Sequence, residues 1–367
     1  MTGRAQSTPE LSVIIPTRNR ARSLQRTLAA LDRQQFPAAR FEVIVVANAC
    51  TDDTGAVVRG FPARFALRLY EHAARGISLA RNSGAALARG RVLVFLDDDI
   101  EPVPTALAAR AVAHDEWPDL IAVGPLLAPP LPVAAGLLGE RLRRLDADHA
   151  SSLRARASAL DWLCMVGGNM STSTELFHRA GGFDTAIVSY GSEDYEFGFR
   201  AQQAGARFMF LAAAGGHHYR EENSPFAEYL RRGRSAGRND VEVVRRHPEA
   251  LDRLPIGLLT RPQRLSGRLG RCLAFDHPRL GDRLADGLAG AAAVLARMRQ
   301  RRAWNRLVDR LYQYWYFRGA ADRLGTRRAA AEFVESVRQR AGIRPGAAVS
   351  ARGFPAASAR ASRGVGS

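Results

Sequence analysis

The sequence predicts an α/β fold in which a mixed, mostly parallel sheet is followed by a C-terminal helical region. Three short apolar runs, 11–16, 41–46 and 92–96, have the composition of strands that are buried on both faces. Helical patterns at 21–35 and 77–89 separate one run from the next. This alternation of strand and helix builds a parallel sheet. With 367 residues, of which 46% are hydrophobic, the chain can bury such a core.

Polar side chains follow each of these three strands. Thr17, Arg18 and Asn19 follow the first strand, residues 48–53 follow the second and residues 97–99 follow the third. Ligands of open α/β sheets bind beyond the carboxyl ends of the strands, so these clusters mark the expected site. Neither GxGxxG nor GxxxxGKS/T follows the first strand, which argues against a dinucleotide fingerprint and a P-loop.

The charge of the chain is unevenly distributed. The net charge is +17 and, because the chain has no lysine, all 53 basic residues are arginine. Residues 1–225 carry 24 arginines and 24 acidic residues, whereas residues 226–367 carry 29 arginines and 12 acidic residues. The excess is typical of a protein with a polyanionic partner, such as nucleic acid, an anionic membrane or a phosphorylated substrate.

This change in composition predicts a domain boundary near residue 225. We expect an α/β domain at 9–225 and a basic helical region at 226–343. Segments 1–8 and 344–367 are expected to be disordered, and the second of them is rich in Gly, Ala, Ser, Pro and Arg.

Cysteine content and hydropathy predict a cytoplasmic protein. Cys50, Cys164 and Cys272 lie more than a hundred residues apart and form no CxxC pair. This spacing argues against a zinc knuckle and a secreted disulfide framework. The N-terminus has no apolar signal region, and no run approaches the ~20 apolar residues that span a bilayer. An integral membrane protein is therefore not expected.

Three consecutive aspartates, Asp97, Asp98 and Asp99, follow the third strand. Like charges this close repel one another unless a cation or water compensates them. Hard cations bind carboxylate oxygens and substrate phosphates, so the loop predicts a divalent metal that bridges a diphosphate. The alternative is a solvated acidic turn, which the buried strand before the aspartates makes the weaker interpretation.

A second pair of acidic residues, Glu193 and Asp194, opens a helical pattern that continues over 195–204. Both carboxylates therefore fall in the first helical turn, where the helix dipole stabilises negative charge. An ordinary acidic helix N-terminus is the alternative interpretation of this pair.

Two glycines and two histidines complete the candidate groups. Gly167 and Gly168 end an apolar segment and permit close approach of the backbone to a ligand. His217 and His218 follow a predicted strand on a loop flanked by glycine, where they are either ligands or structural residues.

Six short motifs occur in a fixed order along the first part of the chain. They occupy residues 12–20, 48–54, 80–84, 96–99, 181–184 and 193–194. In this order and at this spacing they resemble the family 2 glycosyltransferases. One such motif alone is weak, but six together, spread over about 11–220, are specific.

The resemblance implies a GT-A fold, a nucleotide-diphosphate-sugar donor, Mg²⁺ or Mn²⁺, and transfer of the sugar with inversion at the anomeric carbon. Residue by residue, Asp97 and Asp99 match the acidic motif, with Asp99 the direct metal ligand and Asp97 nearer the ribose. Glu193 and Asp194 match the acidic pair on the acceptor side, with Asp194 as general base. Inversion needs a base opposite the leaving group, which Asp194 supplies, and a counter-charge for the departing diphosphate, which Asp99 supplies together with its metal.

The remaining site assignments are also implied by the resemblance. His218, or else His217, matches a further metal or diphosphate ligand, so the predicted metal ligands are Asp99, Asp97 and His218. The residues expected at the donor are Pro16, Thr17, Arg18, Asn19, Asn48, Asp53, Arg81, Asp97, Asp98 and Gly168. Among them, Arg81 is expected to add positive charge at the diphosphate and Arg18 to lie against the base.

The chain departs from the family pattern at one position. Many members have Asp just before the asparagine of the second loop and use it to read the base, whereas this chain has Ala47 before Asn48. One interpretation is that Asp52 or Asp53 reads the base in place of the missing aspartate. Another is that the donor is not a uridine nucleotide. The alternative is that these two aspartates only cap the following helix.

The basic region has a helical pattern in which apolar residues alternate with arginine. The segment 312–319 contains an aromatic cluster bordered by arginine, a composition typical of an interfacial helix. One interpretation is that these aromatics pack the helices against the first domain. The other is attachment to an anionic leaflet, where the acceptor is a lipid-linked sugar, or recognition of a phosphorylated acceptor.

Two other functions fit the sequence less well than glycosyl transfer does. Arginine and aromatic residues also suit nucleic-acid binding, but no RRM, KH, zinc-finger or bZIP signature is present. A nucleotidyltransferase would need a glycine-rich loop with a lysine, and the chain has none. The predicted acceptor belongs to polysaccharide, glycolipid or other glycoconjugate synthesis, and the alternative acceptor is a small natural product or peptide.

Overall fold

The computed structural model of the chain divides into two compact units. The residues that it describes are 8–130, 136–187, 191–220, 225–260 and 265–343. The first unit comprises residues up to 133, 146–188 and 193–220, and the second comprises 134–145, 189–192 and the residues from 221 onward. Composition did not signal that 134–145 belongs with the second unit. The predicted disordered segments, 1–8 and 344–367, lie outside the described residues except for Thr8.

The described strands all belong to the first unit. They are β1 (Leu11–Thr17), β2 (Phe41–Asn48), β3 (Ala66–His72), β4 (Val92–Leu96), β5 (Ile100–Pro102), β6 (Leu120–Val123), β7 (Leu126–Leu127), β8 (Asn169–Ser173), β9 (Arg207–Phe210) and β10 (Gly216–His218). The helices of this unit are α1 (Ala21–Asp32), α2 (Thr54–Gly60), α3 (Ile77–Leu87), α4 (Ala106–Glu116), α6 (Thr174–Arg179) and α7 (Glu193–Gln203). Helix α5 (Leu137–Ala155) contributes residues to both units.

The main sheet has seven strands in the order β3-β2-β1-β4-β8-β6-β9. Strand β1 is parallel to both neighbours, with Leu11 opposite Phe41 on one side and Val92 on the other. Strand β8 is antiparallel to β4 and β6, so the sheet is mixed and mostly parallel, as predicted. Because β1, β2 and β4 are parallel and adjacent, the polar clusters that follow them meet at one edge.

Helices cover both faces of the central strands, which explains why those strands are apolar throughout. On one face, Val13 and Ile15 belong to the same buried cluster as Leu24 and Leu28 of α1. On the other face, Ala80 of α3 packs among the alternate residues of β2. A Cβ built at Gly84 of α3 would overlap Ile14 and lie 3.3 Å from Val46, so glycine is what lets α3 approach the sheet.

A small second sheet has the order β5-β10-β7. Strand β10 is antiparallel to β5, with His218 opposite Ile100, and the amide of Tyr219 donates to the carbonyl of Asp99 at 2.9 Å. This pairing brings the histidine pair to the aspartate loop, although more than a hundred residues separate them in the chain.

The second unit is helical in its described part. Its helices are α8 (Phe226–Arg246), α9 (Leu265–Phe275), α10 (Pro278–Arg297), α11 (Arg301–Leu324) and α12 (Arg327–Ala341). Helices α8 and α11 approach closely at glycines: a Cβ at Gly237 would lie 2.9 Å from the carbonyl carbon of Tyr316, and one at Gly319 would lie 2.8 Å from that of Arg234. Backbone contact of this kind excludes any larger side chain at either position.

The aromatic cluster of α11 lies mostly inside the second unit. Tyr314, Tyr316 and Phe317 are buried, and the other two rings of the segment are half-buried. The interpretation of 312–319 as an interfacial helix is therefore wrong, because these rings pack within the helical unit. In the part of the chain that the structure describes, no helix has both the length and the apolarity to cross a membrane.

Candidate active site

The loop after β4 is held in place through the central aspartate of the three. The buried carboxylate of Asp98 accepts hydrogen bonds from Thr17 Oγ1 at 2.6 Å and from Arg20 Nη1 at 3.0 Å. The hydroxyl of Thr27 donates to the Asp98 carbonyl at 2.9 Å. Burial, opposed by Arg20 and reinforced by Asp99, raises the pKa of Asp98 to about 7. Asp98 has the contacts of a residue that fixes the loop.

The third aspartate faces a histidine. Asp99 Oδ1 lies 3.6 Å from His218 Nε2, and the other ring nitrogen of His218 lies 2.9 Å from Asp146 Oδ2. Burial alone would raise the pKa of Asp99, but the hydrogen bond and charge of His218, with the charge of Arg20, lower it. Burial alone would lower the pKa of His218, but the two carboxylates raise it to about 9. The cluster is electrostatically coupled in the folded state.

The two histidines of β10 contact different groups. His218 meets the acidic cluster, whereas His217 Nδ1 lies 2.8 Å from the carbonyl oxygen of Ala128. Successive side chains of a strand point to opposite faces, which is why only one of the pair reaches the aspartates. The geometry thus favours His218 over His217 as the residue of the site.

Arg81 of α3 joins the two acidic groups that the sequence placed far apart. Its Nη1 donates to Glu193 Oε1 at 3.0 Å, and its Nη2 donates to Asp97 Oδ1 at 3.2 Å. The guanidinium lies over the Phe183 ring, 5.2 Å from its centroid, and Arg81 is 2% exposed. Burial alone would lower the pKa of Arg81, but Asp97, Glu193 and Asp194 raise it. An arginine so enclosed orients the carboxylates around it.

Asp194 lies at the start of α7, as predicted, with its carboxylate held by backbone amides. Oδ2 accepts from the amide of Gly167 at 3.2 Å, and Oδ1 accepts from the amide of Tyr195 at 2.9 Å. Burial and the charge of Glu193 raise the pKa of Asp194 to about 7, while Arg81 and the two amides act in the opposite direction. This pKa lies in the range in which a carboxylate works well as a general base near neutral pH.

The glycine pair is explained by side chains of the site. A Cβ at Gly167 would lie 2.8 Å from Arg81 Nη1, and one at Gly168 would overlap the carboxylate of Asp97. The Gly168 carbonyl also accepts from the amide of Asp97 at 2.9 Å. The pair therefore lets Arg81 and Asp97 approach the backbone.

The other residues expected at the donor lie at the ends of β1 and β2. Pro16 is part of β1, and Arg18 is exposed beyond it. Asn19 has a φ of 53° and accepts from the amide of Thr51 at 2.7 Å, which ties the first loop to the second. Asp53 is exposed at the start of α2.

Asp53 occupies the N-cap position of α2 without a side-chain cap bond, and it is Asp52 that supplies side-chain hydrogen bonds at the start of this helix. Asp52 Oδ1 accepts from the Thr54 hydroxyl at 2.5 Å and from the Thr54 amide at 3.1 Å, and Oδ2 accepts from the amide of Ala21 at 3.3 Å. Burial alone would raise the pKa of Asp52, but these hydrogen bonds together lower it. The capping alternative is thus observed for Asp52.

Asn48, the last residue of β2, has one side-chain atom without a partner in the described part of the chain. Its Nδ2 donates to the carbonyl of Gly76 at 3.2 Å, but its buried Oδ1 accepts no hydrogen bond from the described residues. A buried acceptor of this kind is costly unless a ligand or water satisfies it.

Three residues of the site were missed at the level of the sequence. Arg20 contacts Asp98 and Asp99, and Arg220 pairs at 3.2 Å with Asp146, the carboxylate behind His218. Arg20 is the last residue of the first motif, so its place in that motif could have indicated it. Asp146 lies in the middle of an amphipathic helix, and nothing in its local sequence distinguishes it from a surface residue.

The ligand types at this edge suit a divalent cation. Carboxylate oxygens of Asp97 and Asp99 and an imidazole nitrogen of His218 are suitable donors. Within the described ranges, no three His, Cys, Asp or Glu side chains are grouped so as to enclose a metal ion. Asp99 and His218 face each other, whereas Asp97 contacts Arg81. The residues present fit a metal ion that takes some of its ligands from the protein and the others from oxygens of a bound ligand.

Comparison with known proteins identifies the family. The model of glycosyl transferase family 2 matches residues 12–135, and that of glycosyl transferase family group 2 matches residues 125–268. By these matches the chain belongs to the family 2 glycosyltransferases, a class of transferases. The family predicted from the six motifs is confirmed.

Among curated relatives, validoxylamine A glucosyltransferase of Streptomyces hygroscopicus subsp. jinggangensis is 31% identical over 277 residues. This match covers 69% of this chain and 65% of the relative. The match to the enzyme of the same name from subsp. limoneus covers 60% of that enzyme. The chain thus spans less than two thirds of the length of these relatives. Hyaluronan synthase of Pasteurella multocida is 26% identical over 64% of this chain and 27% of its own length.

Among solved structures, the mannosyltransferase PcManGT from Pyrobaculum calidifontis, in complex with GDP-Man and Mn²⁺, has a TM-score of 0.51 at 22% identity. The match covers 89% of this chain and 87% of that chain. This similarity concerns the fold alone, and it confirms the predicted GT-A fold.

Proposed function

We propose that the protein transfers a sugar from a nucleotide-diphosphate-sugar to an acceptor hydroxyl, with inversion at the anomeric carbon. The observation that carries the proposal is the bridge from Glu193 through Arg81 to Asp97, which joins the acidic pair of α7 to the aspartate loop after β4. Family membership supports the reaction class. An inverting displacement needs a base, for which the acidic pair of α7 is suited, and a counter-charge for the leaving group, which a metal ion at the aspartate loop would supply.

In this proposal Asp194 is the general base. The acceptor oxygen bonds to the anomeric carbon as the Asp194 carboxylate takes the hydroxyl proton. The bond between that carbon and the diphosphate oxygen breaks, and its electron pair leaves on the diphosphate. The amides of Gly167 and Tyr195 fix the orientation of the Asp194 carboxylate. The Glu193 carboxylate accepts a hydrogen bond from Arg81, which fixes its position as well.

Asp99 and His218, with Asp97 nearer the ribose, hold the donor side. A bound Mg²⁺ or Mn²⁺ would supply Lewis-acid neutralisation of the diphosphate at this position. Arg20 pairs with Asp98 and Asp99 and so fixes the orientation of both carboxylates. Asp146 orients the His218 ring from behind through its contact with Nδ1.

Asn48 is the residue that we assign to the nucleoside. Its unpartnered Oδ1 is buried at the carboxyl end of β2, beside the position where Ala47 replaces the aspartate of many members. Binding of a hydrogen-bond donor of the nucleotide would satisfy this atom. The other proposed contacts of the donor remain Pro16, Thr17, Arg18, Asn19, Asp53, Arg81, Asp98 and Gly168.

The acceptor class has two candidates. The similarity to a glucosyltransferase named for validoxylamine A favours a small hydroxylated molecule as acceptor and glucose as the first sugar to test. The lower similarity to hyaluronan synthase, over a quarter of that chain, is what supports a growing polysaccharide. Peripheral attachment to an anionic membrane, based on the arginine excess of residues 226–367, stays part of the proposal.

Two substitutions test the proposed roles. We expect Asp99→Ala to abolish metal-dependent transfer, and Asp194→Asn to lower kcat by at least about 100-fold while donor binding is nearly unchanged. Turnover is followed as release of nucleoside diphosphate, and donor binding as the rise in melting temperature with nucleotide sugar and Mn²⁺. Asp115→Asn, at an exposed carboxylate paired with Arg91, is the matched control. Full activity in either site variant would refute the role assigned to it.

A further inference from the structure

Exposed apolar side chains are concentrated on two helices of the second unit. Among the described residues, nine large hydrophobic side chains are exposed, and seven of them belong to α9 and α10 or follow α10 directly. The seven are Leu265, Leu269, Leu280, Leu284, Leu288, Val294 and Met298. Exposed apolar residues scattered singly need no explanation, but a concentration of this kind marks an interaction surface.

The apolar residues of α10 lie on one face of the helix. Leu280, Leu284 and Leu288 follow one another at intervals of four residues, and with Val294 and Met298 they fall within an arc of about 120°. Their exposed fractions run from 47% to 62%. Exposure of such an apolar stripe to water is unfavourable unless something covers it.

The face of α10 next to the leucine stripe, on the side away from the arginines, is fixed by its packing inside the unit. Gly281, Ala285 and Ala292 are buried there. A Cβ at Gly281 would lie 2.5 Å from the hydroxyl of Tyr314, and this hydroxyl donates to Asp282 at 2.6 Å. The helix cannot rotate to bury its leucines without losing these contacts.

Arginines border the leucine stripe along one edge. Arg279, Arg283 and Arg297 are exposed, and the helical repeat places all three on the same side of the stripe. None of the three forms an ion pair with a residue that the structure describes. Exposed leucines bordered by cationic side chains are the composition of a helix that lies in the interface of an anionic bilayer.

We propose that the leucine stripe of α10, residues 280–298, together with Leu265 and Leu269 of α9, docks the protein on an anionic membrane surface. Charge complementarity indicates what covers the leucine stripe. The chain from 226 to 367 carries 29 arginines and 12 acidic residues, so a second copy of this strongly cationic region would be repelled and anionic lipid attracted. This inference makes the proposed membrane attachment specific, and it does not depend on the identity of the donor or acceptor.

The test is sedimentation of the full chain with vesicles of phosphatidylcholine alone and of phosphatidylcholine mixed with phosphatidylglycerol. We expect binding to the anionic vesicles at low salt, little binding to neutral vesicles, and weakening by added salt. Leu284→Gln with Leu288→Gln should lower the partition coefficient at least about tenfold, because the inserted apolar area is lost. Arg279→Gln with Arg283→Gln should lower it roughly 30-fold on anionic vesicles.

Matched controls use exposed residues of the same type in the first unit. Val112→Gln and Arg33→Gln, both exposed, should leave partitioning unchanged. All variants alter exposed side chains, so unchanged melting temperatures will show that they fold. Donor-dependent melting shifts, measured without vesicles, should not differ among them, which separates failure of this proposal from failure of the proposed transferase function.

Three outcomes would overturn the proposal. The first is that the full chain does not bind anionic vesicles at low salt. The second is that Val112→Gln weakens binding as much as the leucine variant does. The third is that light scattering detects a stable dimer that the leucine variant dissociates, since the stripe would then be covered by a second copy.

Discussion

Arg81 is the residue on which the geometry of both acidic groups depends. The family resemblance implies that it contacts the donor diphosphate, and that role stays a prediction. In the structure it is 2% exposed and bridges Glu193 and Asp97. Its planar guanidinium reaches two carboxylates from two nitrogens, which a lysine ammonium cannot do with the same geometry.

Replacement of Arg81 by Met should cost both stability and activity. Two carboxylates would be left without their cation, a change that typically destabilises a protein by about 3–5 kcal/mol. Urea denaturation measures the free energy of unfolding, and release of nucleoside diphosphate measures activity. Arg59→Ala, which breaks the exposed pair with Glu71, should change stability by less than about 1 kcal/mol. If the two substitutions lowered the free energy of unfolding equally, the bridge from Glu193 through Arg81 to Asp97 would contribute no more than an exposed ion pair.

Asp194 sets the expected pH dependence of the reaction. Burial, with the neighbouring charge of Glu193, raises its pKa to about 7, and only the ionised form can accept a proton. The rate should therefore increase with pH up to about 7 and then level off, and it should be about 100-fold lower two pH units below that point. The measurement is kcat/KM against pH with donor and Mn²⁺ in excess. A rate that is independent of pH through 7 would exclude this carboxylate as the base.

At the scale of elements, helix α3 positions Arg81 through its close contact with the sheet. The approach depends on Gly84, one turn away from Arg81, because any Cβ there would overlap Ile14 of β1. Gly84, the single glycine of the third motif, is thus a packing residue that lies one helical turn after the arginine. A helix packed at this distance carries its side chains to the sheet edge with little freedom.

Gly84→Ala should destabilise the first unit by about 1–3 kcal/mol and lower activity, because α3 must move away from β1 and take Arg81 with it. Gly60→Ala is the matched control, since no atom lies within 4 Å of a Cβ at this helical position. That substitution should be neutral or stabilise by about 0.4–1 kcal/mol. Thermal unfolding and kcat/KM of both variants decide the matter, and a stable, active Gly84→Ala protein would contradict the proposed role of the contact.

At the scale of the whole molecule, stability also depends on a buried acid outside the site. Asp240 of α8 accepts hydrogen bonds from Ser192 at 2.6 Å and from Tyr316 at 2.5 Å. Burial raises the pKa of Asp240 to about 6, although both hydroxyls act against this. The folded state therefore keeps a proton that the unfolded chain releases near pH 4.

Asp240 should make the protein less stable as the pH rises from about 4 to about 6. Below that range both states are protonated, and above it the full loss of roughly 3 kcal/mol is reached. Asp240→Asn should remove this slope when unfolding free energies are compared between pH 4 and 7. Asp322→Asn is the control with opposite sign, because Arg234 and Arg238 outweigh burial and lower the pKa of Asp322. If the free energy of unfolding depended on pH in the same way in the wild-type and the Asp240→Asn protein, Asp240 would not be the group responsible for the slope.

The central fold could be predicted because its signals are local. The apolar runs became β1, β2 and β4, and the helical patterns became α1, α3 and α7. Each depends on periodicity within about ten residues, which the chain displays directly. The antiparallel strand β8 and the membership of 134–145 in the second unit depend on pairing between distant segments, for which a single sequence carries no pattern.

The sequence by itself determined the family, the fold class, the acidic groups and the excess of arginine in the second half. Motif order and composition are properties of the chain before it folds. Only the tertiary structure decided that Arg81 links the acidic groups, that His218 rather than His217 faces Asp99, and that leucines of α10 rather than the α11 aromatics are exposed. These outcomes depend on which faces pack together, and packing is settled by contacts between residues that are far apart in sequence.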